Sequence, residues 1–420
     1  MELAKDSHLE RRIDIQQPNL SMGKAIQLQK AVEIVKFSVK TPNCITFGQR
    51  IHTNVGSVLG GLFDTAESCP NFDYHCNPAG AESEVIVCEM IRKQAGLSQS
   101  YSLGTRGLGK FMPCIDEAVL LAYQSSMNAA EGRRLSVHHN GCVPQKAMML
   151  ANCELSVHVP VKDGCIDVDV LAAMQAESCH FIMWRVDSAE TLAKEYRAAR
   201  EASQRCNASL FLDLPLLGIQ ALRPGLCEGV EADFVLLHLA EVTYLSGDVL
   251  FMKERDAFSK SIVMPLDEFR KFGGVVTQQQ DGSKDKLLTQ VDIEAHDYII
   301  GFGNFLGWYR FLFYSRVKGK TGIAADIANQ QQNGQNVAKA LADLPFVKQA
   351  SAVDRTVRVA LSCSAADLSA IFQDQTGAQP FVASRDLVML YMPIDLVPES
   401  EIQGFLDQLV IAHSHMACRI

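Results

Sequence analysis

Three short apolar runs, joined by a buried turn and then a hairpin, limit how residues 209–252 can fold. Ser209-Leu-Phe-Leu-Asp213 ends on an acid, Ala232-Asp-Phe-Val-Leu-Leu237 follows it, and Val249-Leu-Phe-Met252 completes the set. Runs this short and this continuous read as strands buried on both faces, because no alternate position is left to meet water. Similar texture recurs upstream at Leu135–His139, Leu155–Val159 and Phe181–Trp184. Most of the connections are long enough for a crossover helix, which parallel strands require. One of them, Thr191–Ala202, puts Leu192, Tyr196 and Ala199 on a single helical face. The middle of the chain therefore predicts an α/β fold, a mostly parallel sheet with helices on both sides.

Around that centre, a helix is expected across Gly80–Gly96, and Pro144 is placed to start another running through Leu150. The polar stretch 276–292 reads as loop. Asn304–Val317 reads as a helix rich in Phe, Trp and Tyr, whose spacing suits a core or an interface. Past about residue 345, Val357–Ser362, Val388–Met392 and Glu399–Ala412 suggest a small α+β unit. The first residues are amphipathic, with Ile26, Leu28, Ala31, Val32 and Val35 spaced for one face. The expected division is 1–50 as an N-terminal helical segment, 51–340 as a large domain and 341–420 as a small C-terminal domain.

Charge and cysteine usage narrow the function classes. A net charge of −9 over 420 residues argues against a nucleic-acid partner, which needs a basic face. No apolar run reaches the roughly 18–20 residues of a membrane span, and the polar start Met1–His8 has no secretory core. Thirteen cysteines without a Cys-x-x-Cys pair read as free, mostly buried thiols in a reducing compartment. The expectations are a cytoplasmic protein with no metal site, no nucleic acid and no membrane.

The order strand, Asp213, strand, hairpin resembles the heart of the group II amino-acid decarboxylases, the glutamate and cysteine-sulfinate decarboxylase branch that uses pyridoxal phosphate (PLP). Further likeness lies in Phe72-Asp-Tyr74 with Pro78 and Glu84, in Ile91–Gly96, and in the aromatic run of Asn304–Gly319. The resemblance implies an aspartate-aminotransferase (fold type I) architecture: a large domain with a seven-stranded, mostly parallel sheet, plus a small C-terminal α+β domain. It also implies tight dimers with active sites at the subunit interface, the N-terminal segment swapping onto the partner.

The same resemblance assigns roles position by position. Asp213 stands where the family pairs an acid with the pyridine nitrogen, but the family's Schiff-base lysine is replaced: its Asn/Asp-Pro-His-Lys reads His238-Leu239-Ala240-Glu241. A carboxylate cannot form a Schiff base. The ring-stacking His falls on Gly141, with His139 and His138 too early, and the Gly-Thr-Thr turn reads Arg185–Ser188. The carboxylate-binding Arg falls near Leu390 and the mobile-loop Tyr near Val275. The substrate-lining Phe-Phe-Asn-Gln reads Ile51-His-Thr53-Asn54, and Tyr74 belongs to the same lining. The phosphate loop falls on Gly104-Thr-Arg106-Gly107-Leu-Gly109-Lys110. There, backbone N–H groups, a helix N-terminus, Arg106 and Lys110 would favour an anion. Its P-loop spacing fails where Phe111 replaces the magnesium-binding Ser or Thr.

These substitutions point to a decarboxylase-like pseudoenzyme, a scaffold or the partner subunit of an active decarboxylase, as homodimer or heterodimer. PLP or another phosphate would bind only non-covalently. Two alternatives stay open. One is altered chemistry using Glu241, His139 or Cys142; the other is a small-molecule sensor using the old cofactor pocket. Glu241 itself has two readings: a carboxylate beside Asp213 in an intact ring pocket, or one that pairs with a nearby Arg or Lys.

Overall fold

The apolar runs assemble side by side. In the computed structural model, described for residues 78–112, 114–129, 135–138, 155–158, 161–162, 165–166, 179–186, 188–215, 217–243, 247–254, 305–376, 382–384 and 387–417, the first elements are helix α1 (Pro78–Ala95), strand β1 (Leu108–Met112) and helix α2 (Ile115–Ala129). Strands β2 (Leu135–His138) and β3 (Leu155–His158), then the small pair β4 (Val161–Lys162) and β5 (Cys165–Ile166), lead to β6 (Cys179–Arg185) and helix α3 (Ala189–Cys206). There follow β7 (Ser209–Leu214), a 3-10 turn (Gly218–Leu222), β8 (Phe234–His238), the short helix α4 (Ala240–Thr243) and β9 (Asp248–Met252).

The large sheet has seven strands in the order β1-β9-β8-β7-β6-β2-β3. Only β9 runs against the others: it is antiparallel to both β8 and β1, so β1 is parallel to β8 and β7. Alternation sorts the side chains into two cores. Ile182, Trp184, Leu210, Leu212, Leu214, Val235 and Leu237 face α1 and α3. Phe181, Met183, Phe211, Phe234, Leu236 and Leu250 face α2. Trp184, Phe181 and Phe211 are fully buried, each worth about 1.5–3 kcal/mol relative to exposure.

Local signals fix the helices. Pro78 opens α1, and Gly96 at φ +80° closes it, with the Leu97 amide returning to Arg92 O at 3.1 Å. Ser188 caps α3 by accepting from the Thr191 amide at 3.0 Å, and Asn207 ends that helix in the left-handed region. Cys88, Cys206 and Cys227 are buried cysteines outside any disulfide.

A second sheet follows. Helix α5 (Phe305–Ala342) leads to β10 (Val347–Val353), β11 (Thr356–Leu361), helix α6 (Ala365–Thr376), β12 (Val382–Ser384), β13 (Leu387–Tyr391) and helix α7 (Glu399–Ala417). The four strands are antiparallel in the order β10-β11-β13-β12. Val357, Val359 and Leu361 alternate into a core with Phe372, Phe405 and Leu409, the pattern of a sheet buried on one face. α5 serves both cores: Trp308, Phe311, Ile323 and Ile327 pack in the large unit, Val337 and Leu341 in the C-terminal one. Its helix breaks at Gly319 (φ +60°), and Asp326 ties the two sides by accepting from Tyr314 Oη at 2.8 Å and Lys318 Nζ at 2.7 Å.

The fold is thus α/β with a mixed, predominantly parallel seven-stranded sheet, as expected. The structure adds elements the sequence reading lacked: β1, α2, the β4–β5 pair, α4, β10, α6 and β12. The helix expected at Pro144–Leu150, the loop at 276–292 and the N-terminal segment lie outside the described residues.

Candidate functional site

The carboxyl edge of the large sheet collects the charged groups. Phe211 and Asp213 share a face of β7, Leu236 and His238 a face of β8, and Asp248 and Leu250 a face of β9. All three polar residues therefore emerge just beyond the apolar layer on the α2 side. In register, Asp213 lies beside Leu236, and His238 beside Asp248, so His238 stands between the two acids.

His238 bonds both. Its Nε2 is 2.6 Å from Asp213 Oδ1 and its Nδ1 is 2.7 Å from Asp248 Oδ1. Carboxylates accept only, so both ring nitrogens donate and the imidazole is a cation. Burial opposes that charge, but Asp248 and Asp213 outweigh it and push the ring up to about 10. Asp213 is fully buried, and its Oδ2 has no hydrogen-bond partner. Arg185 is its cross-strand neighbour on β6.

Glu241 does something else. Its Oε1 accepts the Ile219 amide at 2.6 Å and lies 3.1 Å from Arg355 NH1; its Oε2 accepts from Gln330 Nε2 at 2.6 Å. Arg355 sits in the turn between β10 and β11, donates to Pro215 O at 2.6 Å and stacks over the Tyr391 ring at 5.0 Å. Of the two sequence readings of Glu241, the structure gives the pairing with an arginine.

The proposed phosphate loop is corrected. Leu108 pairs with Met252 and Met112 with Asp248, so Gly104–Gly107 lies at the amino edge, the opposite end of the sheet from Asp213. That loop runs into a strand, not a helix N-terminus. Arg106 is 81% exposed, 3.9 Å from Glu254, while Lys110 is buried against Glu84 at 3.4 Å. The glycines serve packing: a Cβ on Gly107 would fall 2.3 Å from Ser100 O, and one on Gly109 would fall 2.6 Å from the Phe251 ring.

Helices α2, α3 and α4 all start at the carboxyl edge, α2 three residues after Met112. The first turn of α2 carries two acidic side chains, Asp116 and Glu117. Glu117 is buried, and burial pushes its carboxyl up to about 7.

Tested against PLP, these residues fit one handle of three. Asp213 Oδ2 is a buried acceptor suited to a ring N–H. No lysine occurs from Glu195 to Met252, across β7, β8 and β9. An anionic group at α2 would meet two carboxyl groups. Leu390, aligned with the carboxylate-binding arginine, is a buried core residue of β13. His139, Gly141, Cys142, Thr53, Asn54, Tyr74 and Val275 lie outside the described residues. Asp248 and Arg355 were missed by sequence reasoning. Asp248 had a signal, being hairpin partner to His238; Arg355 had none, since only the packing of the C-terminal unit brings it to Glu241.

No protein-family model and no curated protein matches the sequence. Solved structures do. The structure of Catharanthus roseus tryptophan decarboxylase in complex with L-tryptophan aligns at TM-score 0.72 and 14% identity, covering 98% of this chain and 92% of that one. That of Oryza sativa TDC with PLP and tryptamine aligns at 0.71 and 16% over the same shares. Mouse CSAD aligns at 0.66 and 13%, covering 96% and 91%. The likeness establishes the fold, that of fold type I decarboxylases.

Proposed function

We propose that this protein is a decarboxylase-fold pseudoenzyme, inactive as a PLP enzyme, which acts as a scaffold or as partner subunit of an active decarboxylase. One observation carries the reading: the segment that would hold the coenzyme's lysine has none, and Glu241 in its place is bonded on both oxygens to Ile219, Gln330 and Arg355. Covalent activation by a Schiff base needs an amine, which neither Glu241 nor any neighbour from Glu195 to Met252 offers. Such a subunit would work in the cytoplasm within a homodimer, or a heterodimer with a lysine-bearing paralogue.

A second reading, a small-molecule sensor, is favoured by the unpartnered Oδ2 of Asp213. A buried acceptor without a donor is costly, and a ligand N–H would relieve it. Anything held there, PLP included, is held without a covalent bond. His238 fixes the orientation of the Asp213 carboxylate through Oδ1 and leaves Oδ2 for the ligand.

The test is trapping. The purified protein is mixed with PLP, reduced with borohydride and mapped by peptide mass. The expected result is no coenzyme adduct and no yellow absorbance from a Schiff base; a stoichiometric adduct on any lysine overturns the reading. Glu241→Lys is expected to remain without decarboxylase activity, because the family's ring-stacking His and carboxylate-binding Arg are also replaced, by Gly141 and near Leu390.

A further inference from the structure

Three donors from three distant parts of the chain converge on a single carboxylate. The Ile219 amide comes from the 3-10 turn, Gln330 from α5 and Arg355 from the β10–β11 turn, at 2.6, 2.6 and 3.1 Å from Glu241. Each donor is itself held in place. Gln330 accepts from Gln220 at 2.8 Å and donates to Met392 O at 2.9 Å, while Arg355 is anchored by Pro215 O and Tyr391. The floor is bare backbone: a Cβ on Gly218, at φ +53°, would lie 1.6 Å from Glu241 Oε1 and 2.7 Å from Arg355 NH1. Glu241 is buried there at 8% exposure. Fixed donors around a space shaped for two oxygens are the attributes of an anion receptor, and charge-assisted bonds of this kind are the stronger ones.

We propose that Ile219, Gln330 and Arg355 form a carboxylate-binding site whose ligand is the protein's own Glu241, and that a small monocarboxylate takes the site once that side chain is removed. In the intact protein the captive acid closes the site to free carboxylates. It also fastens the C-terminal unit to the large one, because its donors come from both. This goes beyond the pseudoenzyme reading and does not depend on it.

The experiment is chemical rescue of Glu241→Ala in the full chain. Thermal unfolding is followed in sodium acetate, with sodium chloride and methylammonium chloride at equal ionic strength. Acetate is expected to raise the variant's midpoint by roughly 1–2 °C at about tenfold excess over its dissociation constant, and to act on the wild type no more than chloride does. Arg355→Met in the same background should abolish the response. If acetate acts as chloride does on the variant, or equally on variant and wild type, the proposal fails. Should Glu241→Ala not fold, native-state hydrogen exchange of the wild type decides. The Ile219 amide should exchange only when the C-terminal unit opens in urea, and free exchange in the native state would overturn the idea. Neither readout concerns coenzyme trapping, so the two proposals stand or fall separately.

Discussion

The Asp213 cluster and the Glu241 cluster both place a buried acid at one edge of the same sheet, yet they are built by different means. Asp213, His238 and Asp248 come from three adjacent strands, so strand register alone brings them together. Glu241 meets its donors only when the C-terminal unit is seated, because Arg355 belongs to that unit. The first cluster reports on the integrity of the sheet and the second on the junction. They also differ in what is left over: both Glu241 oxygens are bonded, whereas Asp213 retains one that is not.

The largest effect expected from breaking this contrast is at His238. His238→Leu strips two carboxylates of their shared cation, and uncompensated buried charge of this kind costs about 3–5 kcal/mol. Urea unfolding should show the loss, with the whole large unit weakened. Arg355→Met should cost somewhat less, about 2–4 kcal/mol, and act elsewhere. Limited proteolysis should find new cleavage in β10 and β11 while the seven-stranded sheet stays protected. Equal weakening of both units by Arg355→Met would erase the distinction.

The pH dependence sharpens it further. His238 is raised from 6.5 to about 10 on folding, so its contribution is complete below about pH 6.5 and is lost as pH rises through 10. Wild-type stability should therefore decline on the alkaline side, and His238→Leu should flatten that part of the profile. The smallest effect concerns Glu117, raised to about 7 by burial. The folded state holds its proton more tightly, so stability falls as pH climbs from about 4.5 through 7. Glu117→Gln should remove that fall and stabilise the protein above neutrality, measured by urea midpoints at two pH values.

How much was legible in the sequence follows from where the information resides. Strands β6 to β9 were readable because burial on both faces leaves continuous apolar runs. β1 was mistaken for a loop since Gly107, Gly109 and Lys110 look like an anion cradle. Lys110 belongs in a buried strand only because Glu84, on α1, neutralises it. β10 shows no regular alternation of buried and exposed positions and gave no periodic signal. Asp213 was legible as an acid at a strand end, and its role as a cofactor partner came only from the resemblance. Its partner Asp248 needed the β8–β9 register, and Arg355 needed the docking of a separate sheet.

Gly319 gives α5 a joint between its hold on one core and its hold on the other. A Cβ there would meet nothing within 4 Å, so its φ of +60° is what favours glycine at that position. The longest rod among the described residues is in effect two shorter ones meeting at an elbow, pinned by Tyr314, Lys318 and Asp326. Such an elbow lets each half of the helix settle on its own core at its own angle. The tilt of the C-terminal unit is then set by the bolts across the seam, Arg355 and Glu241 among them, and not by the stiffness of the helix that joins it.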